Sequence, residues 1–152
     1  KEGSSEHLQE ELGDVLEQEE KMEIHHIGYL VKNIEKSEKK FQSLGFLVEY
    51  AKKYDEIRDV NISFLVNGNY RVELVEPQKT SELYSLLKNY KNEPYHICYI
   101  VDSLDDAIRK LQNDGYTVIQ SPVEAPCINN QRVAFLYNSS LGIIELLESG
   151  NI

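Results

Sequence analysis

Two histidines and two glutamates recur at matching places along this chain, and together they could bind a divalent metal ion. His26 opens the segment HIGYLV, and His96 opens HICYIV 70 residues later. Glu73 lies in VELVE and Glu145 in IELLE, 72 residues apart. Imidazole nitrogens and carboxylate oxygens are common ligands of divalent metals. If a two-fold axis relates the two copies, we expect these four side chains to meet at one cation.

Each of the four residues lies in a segment that alternates as a β-strand does, and three of them fall on largely apolar faces. A carboxylate on such a face is costly unless it is paired or bound to a cation. A single histidine on an apolar strand face is more often a hydrogen-bonded core residue. The recurrence of both residue types at matching positions favours a metal site. Alternate residues share each face: Gly28 and Leu30 with His26, Cys98 and Ile100 with His96, Ile143 and Leu147 with Glu145, and Arg71 and Val75 with Glu73.

The pattern of the first repeat predicts a strand, a helix and three further strands. The helix is indicated by Ile34, Phe41 and Leu44 and ends at Gly45. The dipeptide Asn67-Gly68 predicts a tight hairpin turn. The remaining elements are strands at Glu23–Val31, Phe46–Tyr50, Asn61–Val66 and Tyr70–Val75, with a charged loop at Lys52–Arg58.

The second repeat shows the same order after a connection, 78–94, that contains a helical piece. Its helix begins near Leu104 and ends at Gly115. The other elements are strands at Tyr95–Val101, Tyr116–Ile119, Arg132–Tyr137 and Gly142–Leu147, with a loop at Ser121–Asn130. Each half is therefore βαβββ. We expect an α+β fold in which two βαβββ modules, related by a pseudo-two-fold axis, form a curled mixed sheet, an open cup around the metal site. The domain would span 22–149, with repeat one at 22–77 and repeat two at 95–149.

Composition narrows the class of protein. The chain has 152 residues, a hydrophobic fraction of 41% and a net charge of −10, typical of one globular domain. Residues 1–21 carry eight acidic and two basic residues, and we interpret them as an acidic helical tail from a fusion, linker or upstream domain. No apolar run approaches the ~20 residues that span a bilayer, and no basic patch indicates nucleic acid. Cys98 and Cys127 offer no disulfide framework, which favours the cytoplasm.

The segments around these residues resemble the vicinal oxygen chelate superfamily, which includes glyoxalase I and methylmalonyl-CoA epimerase. The similarity covers about residues 23–148 and is greatest in HIGYLV at 26–31, VELVEP at 72–77, RVAFL at 132–136 and GIIEL at 142–146. These segments are most similar to the epimerase-like and glyoxalase I-like branch. The resemblance implies that His26, Glu73, His96 and Glu145 bind one divalent ion, which could be Co, Mn, Ni, Zn or Mg.

The resemblance further implies a metal-dependent lyase or isomerase that stabilises an enolate of a small acyl-thioester or α-hydroxycarbonyl substrate. Glu145 is the first candidate for the catalytic base and Glu73 the second. Bacterial epimerases carry another Glu on the third strand of the first half, but here the aligned position falls near Ile62. Asp59 is the nearest acid and would have to project into the cup. Two-base epimerisation is therefore in doubt.

The sequence also suggests candidates for substrate-binding residues and for partners. Ser63, Gln131 and Arg132 are candidate substrate-binding residues, because Arg132 and the loop before it could hold a carboxylate or phosphate. Two alternatives stay open: a non-catalytic module that binds a small ligand, and a tailoring domain of a larger synthase that acts on groups carried by an acyl carrier protein. The family also implies a homodimer.

Overall fold

The structure is a computed structural model and describes residues 22–150. Eight strands form one sheet: β1 (Glu23–Leu30), β2 (Leu47–Asp55), β3 (Val60–Asn67), β4 (Tyr70–Pro77), β5 (Glu93–Val101), β6 (Thr117–Ala125), β7 (Gln131–Asn138) and β8 (Gly142–Glu148). The helices are α1 (Ile34–Ser43), α2 (Leu87–Tyr90) and α3 (Leu104–Asn113), with short 3-10 turns at Glu82–Leu86 and Pro126–Ile128. In the described range no helix is long and apolar enough to cross a membrane.

The strand order of the sheet confirms the predicted duplication. The order is β2-β3-β4-β1-β5-β8-β7-β6, so the first strand of each module lies at the centre and the modules meet where β1 pairs antiparallel with β5. Each central strand pairs parallel with the last strand of its own module, β1 with β4 and β5 with β8. The α+β fold of two βαβββ modules in a curled mixed sheet is therefore confirmed.

Helices α1 and α3 cover the outer face of the sheet in equivalent ways. Asn33 and Ser103 cap their first turns, because each side-chain oxygen accepts a hydrogen bond from a backbone amide three residues on. The chain leaves the helices through Gly45 (φ +97°) and Gly115 (φ +88°), in the left-handed region that glycine tolerates. The helices pack on apolar side chains of the outer face, among them Leu74 and Leu146.

Glu76 and Glu148 do not behave as solvated strand-edge residues. Glu76 accepts a hydrogen bond from the backbone amide of Ile34 at 2.8 Å, and Glu148 accepts one from Leu104 at 3.0 Å. Each carboxylate therefore sits at the positive end of a helix that belongs to its own module. The matching contacts fix each helix to the last strand of its module.

The two outermost strands are longer than the sequence predicted. β2 continues to Asp55 and takes up most of the predicted charged loop, and β6 continues to Ala125 through Pro122. Both are edge strands that pair on one side only, and most of β2 is exposed, so apolar alternation does not mark it. Proline is tolerated at a sheet edge. The prediction of a helical tail at 1–21 lies outside the described residues.

Candidate metal centre

The register of the sheet brings the four predicted ligands together on its inner face. Glu73, Gly28 and His96 lie side by side on β4, β1 and β5. These three residues form one row across the sheet. The neighbouring row, which corresponds to it in the other module, holds Glu145, Cys98 and His26 on β8, β5 and β1. Each row thus contributes one glutamate and one histidine, separated by one small residue. All four ligand candidates are 4% exposed or less.

The donor atoms of these side chains point at one another. His26 Nε2 and His96 Nε2 are 3.1 Å apart, and each lies 3.0 Å from Glu145 Oε1. Glu73 Oε1 is slightly farther, at 3.3 Å from His26 Nε2 and 3.6 Å from His96 Nε2. All four residues offer one atom within 4.8 Å of the others. The four atoms therefore surround a single point.

These separations fit a bound divalent ion. Metal bonds of about 2.0–2.2 Å place adjacent ligands of an octahedral ion roughly 3.0 Å apart, and three of the five distances are 3.0–3.1 Å. None of the four carboxylate oxygens has a hydrogen-bond partner, although all are buried. Buried carboxylates without partners are costly. A cation at the point where the donors converge would satisfy them.

The charge of the buried residues leads to the same conclusion. Among residues 22–150, the buried acids are Asp55, Glu73 and Glu145. The guanidinium of Arg58, whose side chain is 8% exposed, is the buried cation that faces them. With both ligand histidines neutral, two negative charges remain uncompensated. A divalent ion neutralises them.

The pKa shifts in the cluster show how strongly it needs positive charge. Burial alone would lower the pKa of His26, but the Glu73 carboxylate, together with contacts with Cys98 and Glu145, raises it well above its usual value. Burial alone would raise the pKa of Glu145, but contacts with His26 and His96 hold it well below its usual range. A proton on His26 and a metal ion are therefore alternative sources of the same charge.

Gly28 leaves the space that His96 occupies. A Cβ at position 28 would lie 2.1 Å from Cε1 of His96 and 2.5 Å from both ring nitrogens. The equivalent position in the other row is Cys98, whose thiol is fully buried and has its pKa raised to about 12 by burial. Small neutral residues at these two positions allow the imidazoles to converge.

We expect Gly28→Ala to displace His96 and to weaken metal binding by at least about tenfold, comparable to the loss of an outer partner of a metal ligand. Tyr99→Phe is the control, because Tyr99 lies on β5 but packs on the helix-covered face of the sheet. Titration calorimetry with Zn²⁺ or Co²⁺ measures both affinities. Equal affinities for Gly28→Ala and the unsubstituted protein would contradict this role of the glycine.

His25 orients His26, and the sequence analysis did not identify it. The Nδ1 atoms of the two rings are 2.8 Å apart. Burial, with a smaller effect of His26, lowers the pKa of His25 to about 4, so His25 is neutral and its Nδ1 can accept a hydrogen bond from the Nδ1–H of His26. That hydrogen bond leaves Nε2 of His26 free to face the cluster.

β-Bulges explain why two successive residues face the cup in each central strand. The register between β1 and β5 shifts between Ile24 and His26, and again beyond Gly28, opposite Tyr95. His25 and Tyr95, equivalent residues of the two modules, thus turn toward the same side as the ligand histidines that follow them. Strict alternation along a strand would place the residue before each histidine on the opposite face, so the sequence pattern alone does not identify His25 or Tyr95.

Arg58 is the other residue of the centre that the sequence analysis missed. Its Nη1 lies 3.8 Å from Glu145 Oε2, and its Nε donates to Asp55 Oδ2 at 3.1 Å. Asp55 Oδ1 accepts from the backbone amides of Ile57 and Arg58. The Asp55 carboxylate therefore fixes the turn between β2 and β3 and directs the guanidinium inward. No periodicity in the sequence marks this turn, so its residues were assigned to a charged loop.

The position near which the sequence resemblance would place a further acid is apolar here, as the sequence indicated. Ile62 on β3 is 2% exposed and belongs to the core of the cup. Asp59 does not join the cluster, because its carboxylate accepts hydrogen bonds from the hydroxyls of Tyr54 and Thr80. The centre thus offers two carboxylates, both of them candidate ligands.

The three residues predicted to bind substrate are not brought to the cluster. Ser63 pairs with Leu74 on β4 and faces the helix-covered side of the sheet, opposite to Glu73. Arg132 binds Glu148 with two nitrogens, at 2.9 and 3.1 Å, beside the start of α3. Gln131 lies against Gly150 at the end of the described chain. Their sequence positions gave no information on which face they occupy.

Comparison with known proteins assigns the family. Residues 25–135 match the Glyoxalase/Bleomycin resistance protein/Dioxygenase superfamily, and the chain belongs to that superfamily. Comparison with curated proteins found no match.

Solved structures share the fold at low sequence identity. A hypothetical protein from Bacillus halodurans is 24% identical, with a TM-score of 0.76 over 86% of this chain and 96% of that one. Methylmalonyl-CoA epimerase from Mycobacterium tuberculosis is 18% identical, with a TM-score of 0.70 over 84% and 87%. The Streptomyces coelicolor epimerase in complex with 2-nitronate-propionyl-CoA is 19% identical, with a TM-score of 0.73 over 86% and 96%. These likenesses concern the fold.

Proposed function

We propose that this protein is a metal-dependent lyase or isomerase that moves a proton at the carbon next to a carbonyl group. The observation that carries the proposal is the buried cluster of two histidines and two glutamates, whose donor atoms converge within 3.0–3.6 Å. Small acyl thioesters and α-hydroxycarbonyl compounds are the proposed substrates. When bound, a divalent ion would polarise the carbonyl group and stabilise the negative charge that develops on its oxygen.

The residues of the chain then have separate roles. His26, His96, Glu73 and Glu145 would hold the ion, and His25 keeps His26 in the tautomer that faces it. Glu145 is the proposed base. Its Oε2 faces Arg58, which lines a 620 Å³ cavity, so this carboxylate is next to space that a substrate could fill. Glu73 is the second candidate, because its Oε1 is the more distant atom of the cluster.

The proton transfer needs only one base. The C–H bond breaks, the proton passes to the Glu145 carboxylate, and the electron pair moves toward the carbonyl oxygen. The same carboxylate can return the proton to that carbon or to its neighbour. Because position 62 is an isoleucine and Asp59 is engaged elsewhere, a one-base isomerisation fits the centre better than transfer between two opposed bases.

The test combines metal content with exchange of the α-proton for deuterium. The protein is loaded with Mn²⁺, Co²⁺, Ni²⁺ or Zn²⁺ and incubated in D₂O with methylmalonyl-CoA, or with the hemithioacetal of methylglyoxal and glutathione, while NMR follows the α-proton. We expect one ion per chain and metal-dependent exchange with one of the two substrates. A protein that binds metal and both compounds without exchange would instead be a ligand-binding module.

A further inference from the structure

A cavity of 620 Å³ lies next to the metal centre, on the side of the second module. The apolar part of its wall includes Leu86, Val123, Phe135 and Ile143, and two acids, Asp59 and Glu82, also belong to the lining. Arg58 and Tyr95 also line it. A guanidinium and a buried hydroxyl on an apolar wall are the kind of polar groups that fix a small ligand in a largely apolar pocket.

The guanidinium of Arg58 is held rigidly but is not saturated. Asp55 accepts its Nε–H, and the ring of Phe135 lies 5.6 Å below its central carbon. Among the described residues, neither terminal amino group has a hydrogen-bond partner, and Glu145 Oε2 lies 3.8 Å from Nη1. Both amino groups are therefore free to donate to a group in the cavity that Arg58 lines, and hydrogen bonds to a charged group are among the stronger ones.

The hydroxyl of Tyr95 is a second unused donor on the same wall. Its oxygen is buried and has no hydrogen-bond partner, and the bulge in β5 turns the ring toward the cup. The ring stands edge-on to His96, with centroids 4.4 Å apart, and both Tyr95 and Arg58 line the cavity. Two donors without hydrogen-bond partners, one from the turn between β2 and β3 and one from β5, thus border the same space, next to a candidate ligand histidine and a candidate ligand glutamate.

We propose that Arg58 and Tyr95 form a carboxylate-binding subsite, so that the preferred substrates carry a carboxylate close to the reacting carbon. The two terminal amino groups of a guanidinium match the two oxygens of a carboxylate. A group held there is adjacent to Glu145, the proposed base. The inference rests on the proposed function and narrows its substrate class: a hemithioacetal without a carboxylate near its carbonyl would leave these donors unpaired.

A matched pair of small chelators tests the subsite by binding alone. Acetohydroxamate and malonic acid monohydroxamate share the metal-chelating group, and only the second carries a carboxylate. Calorimetry on the zinc-loaded protein measures the ratio of their dissociation constants. We expect the carboxylated compound to bind at least about tenfold more tightly, the value of a hydrogen bond to a charged group.

Substitutions show which residues produce the preference for the carboxylated compound. Arg58→Met should remove it, and Tyr95→Phe, which removes only the hydroxyl, should reduce it severalfold. Arg109→Met is the control, because that arginine is exposed on α3 and forms only a surface ion pair with Asp106. If Arg58→Met does not fold, Arg58→Lys, which keeps the charge but loses the paired geometry, should retain part of the preference.

Each outcome has a distinct meaning. An unchanged preference in both the arginine and the tyrosine variants would overturn the subsite while leaving the proposed function intact, because acetohydroxamate still reports the metal centre. A loss of acetohydroxamate affinity equal to that of its carboxylated partner in Arg58→Met would show that Arg58 only positions Glu145. A protein that binds neither zinc nor any hydroxamate would overturn both proposals.

Discussion

Replacement of His96 by alanine is expected to abolish stoichiometric binding of a divalent ion. His96 Nε2 lies 3.0–3.6 Å from the other three donor atoms, so the substitution removes one of the four donors of the cluster. Loss of a residue that hydrogen-bonds to a metal ligand lowers the metal affinity about 10–100-fold. Loss of a ligand itself should therefore lower the metal affinity by more than about 100-fold. Elemental analysis after gel filtration and calorimetry with Zn²⁺ or Co²⁺ measure the change.

The same variant should lose the stabilisation that metal gives to the fold. A ligand present at 100 times its dissociation constant stabilises the native state by about 2.7 kcal/mol. The unsubstituted protein should therefore unfold at a higher temperature with metal than with a chelator, and His96→Ala should unfold at the same temperature in both. Tyr99→Phe is the control, because Tyr99 lies on the same strand but packs on the helix-covered face. Normal metal binding by His96→Ala would contradict the proposed ligand set.

Replacement of Glu145 by glutamine is expected to reduce α-proton exchange by about 10²–10⁴-fold, the usual contribution of a general base. Glutamine keeps the size of the side chain and one oxygen that can remain in the cluster, but it cannot accept the proton. Exchange into D₂O, followed by NMR at equal metal occupancy, separates this chemical loss from loss of the ion.

Glu73→Gln is the comparison that assigns the base. Glutamine keeps an oxygen that can face the ion, and Glu73 is only the second candidate for the base, so we expect this variant to keep both the metal and most of the exchange. If Glu73→Gln loses more exchange than Glu145→Gln at equal metal content, the base is Glu73. If neither variant loses exchange, a metal-ligating carboxylate is not the base.

The sequence was sufficient to predict the candidate metal centre because the centre is built on a repeat. The offsets of 70 and 72 residues paired His26 with His96 and Glu73 with Glu145, and the symmetric sheet brings both pairs to one point. The repeat also predicted the order of the strands and the glycines that end the helices. These features depend on local pattern and on symmetry, which a single sequence displays.

The groups around the centre were not predictable in the same way. His25 and Tyr95 turn inward because bulges interrupt the alternation of β1 and β5, and a bulge has no clear mark in one sequence. Arg58 is directed inward by a turn that Asp55 fixes, a tertiary contact within a segment of charged residues. Such residues are identified only when the backbone register is known.

Ser63 and Arg132 were predicted to bind substrate, but the structure does not bring them to the centre. A serine on a strand and an arginine that enters a hairpin are plausible substrate contacts by residue type alone. The register places Ser63 under the helix layer and Arg132 beside Glu148. One position of register decides which face of a sheet a side chain occupies, and the chemistry of the residue does not.

Anomalous X-ray scattering from crystals grown with Co²⁺ or Zn²⁺ tests the central claim most directly. We predict one peak per chain, bonded at about 2.0–2.2 Å to Nε2 of His26 and His96 and to one oxygen each of Glu73 and Glu145. A density map with no ion at this point under saturating metal, and with a proton-mediated contact between the imidazoles and carboxylates instead, would contradict the account.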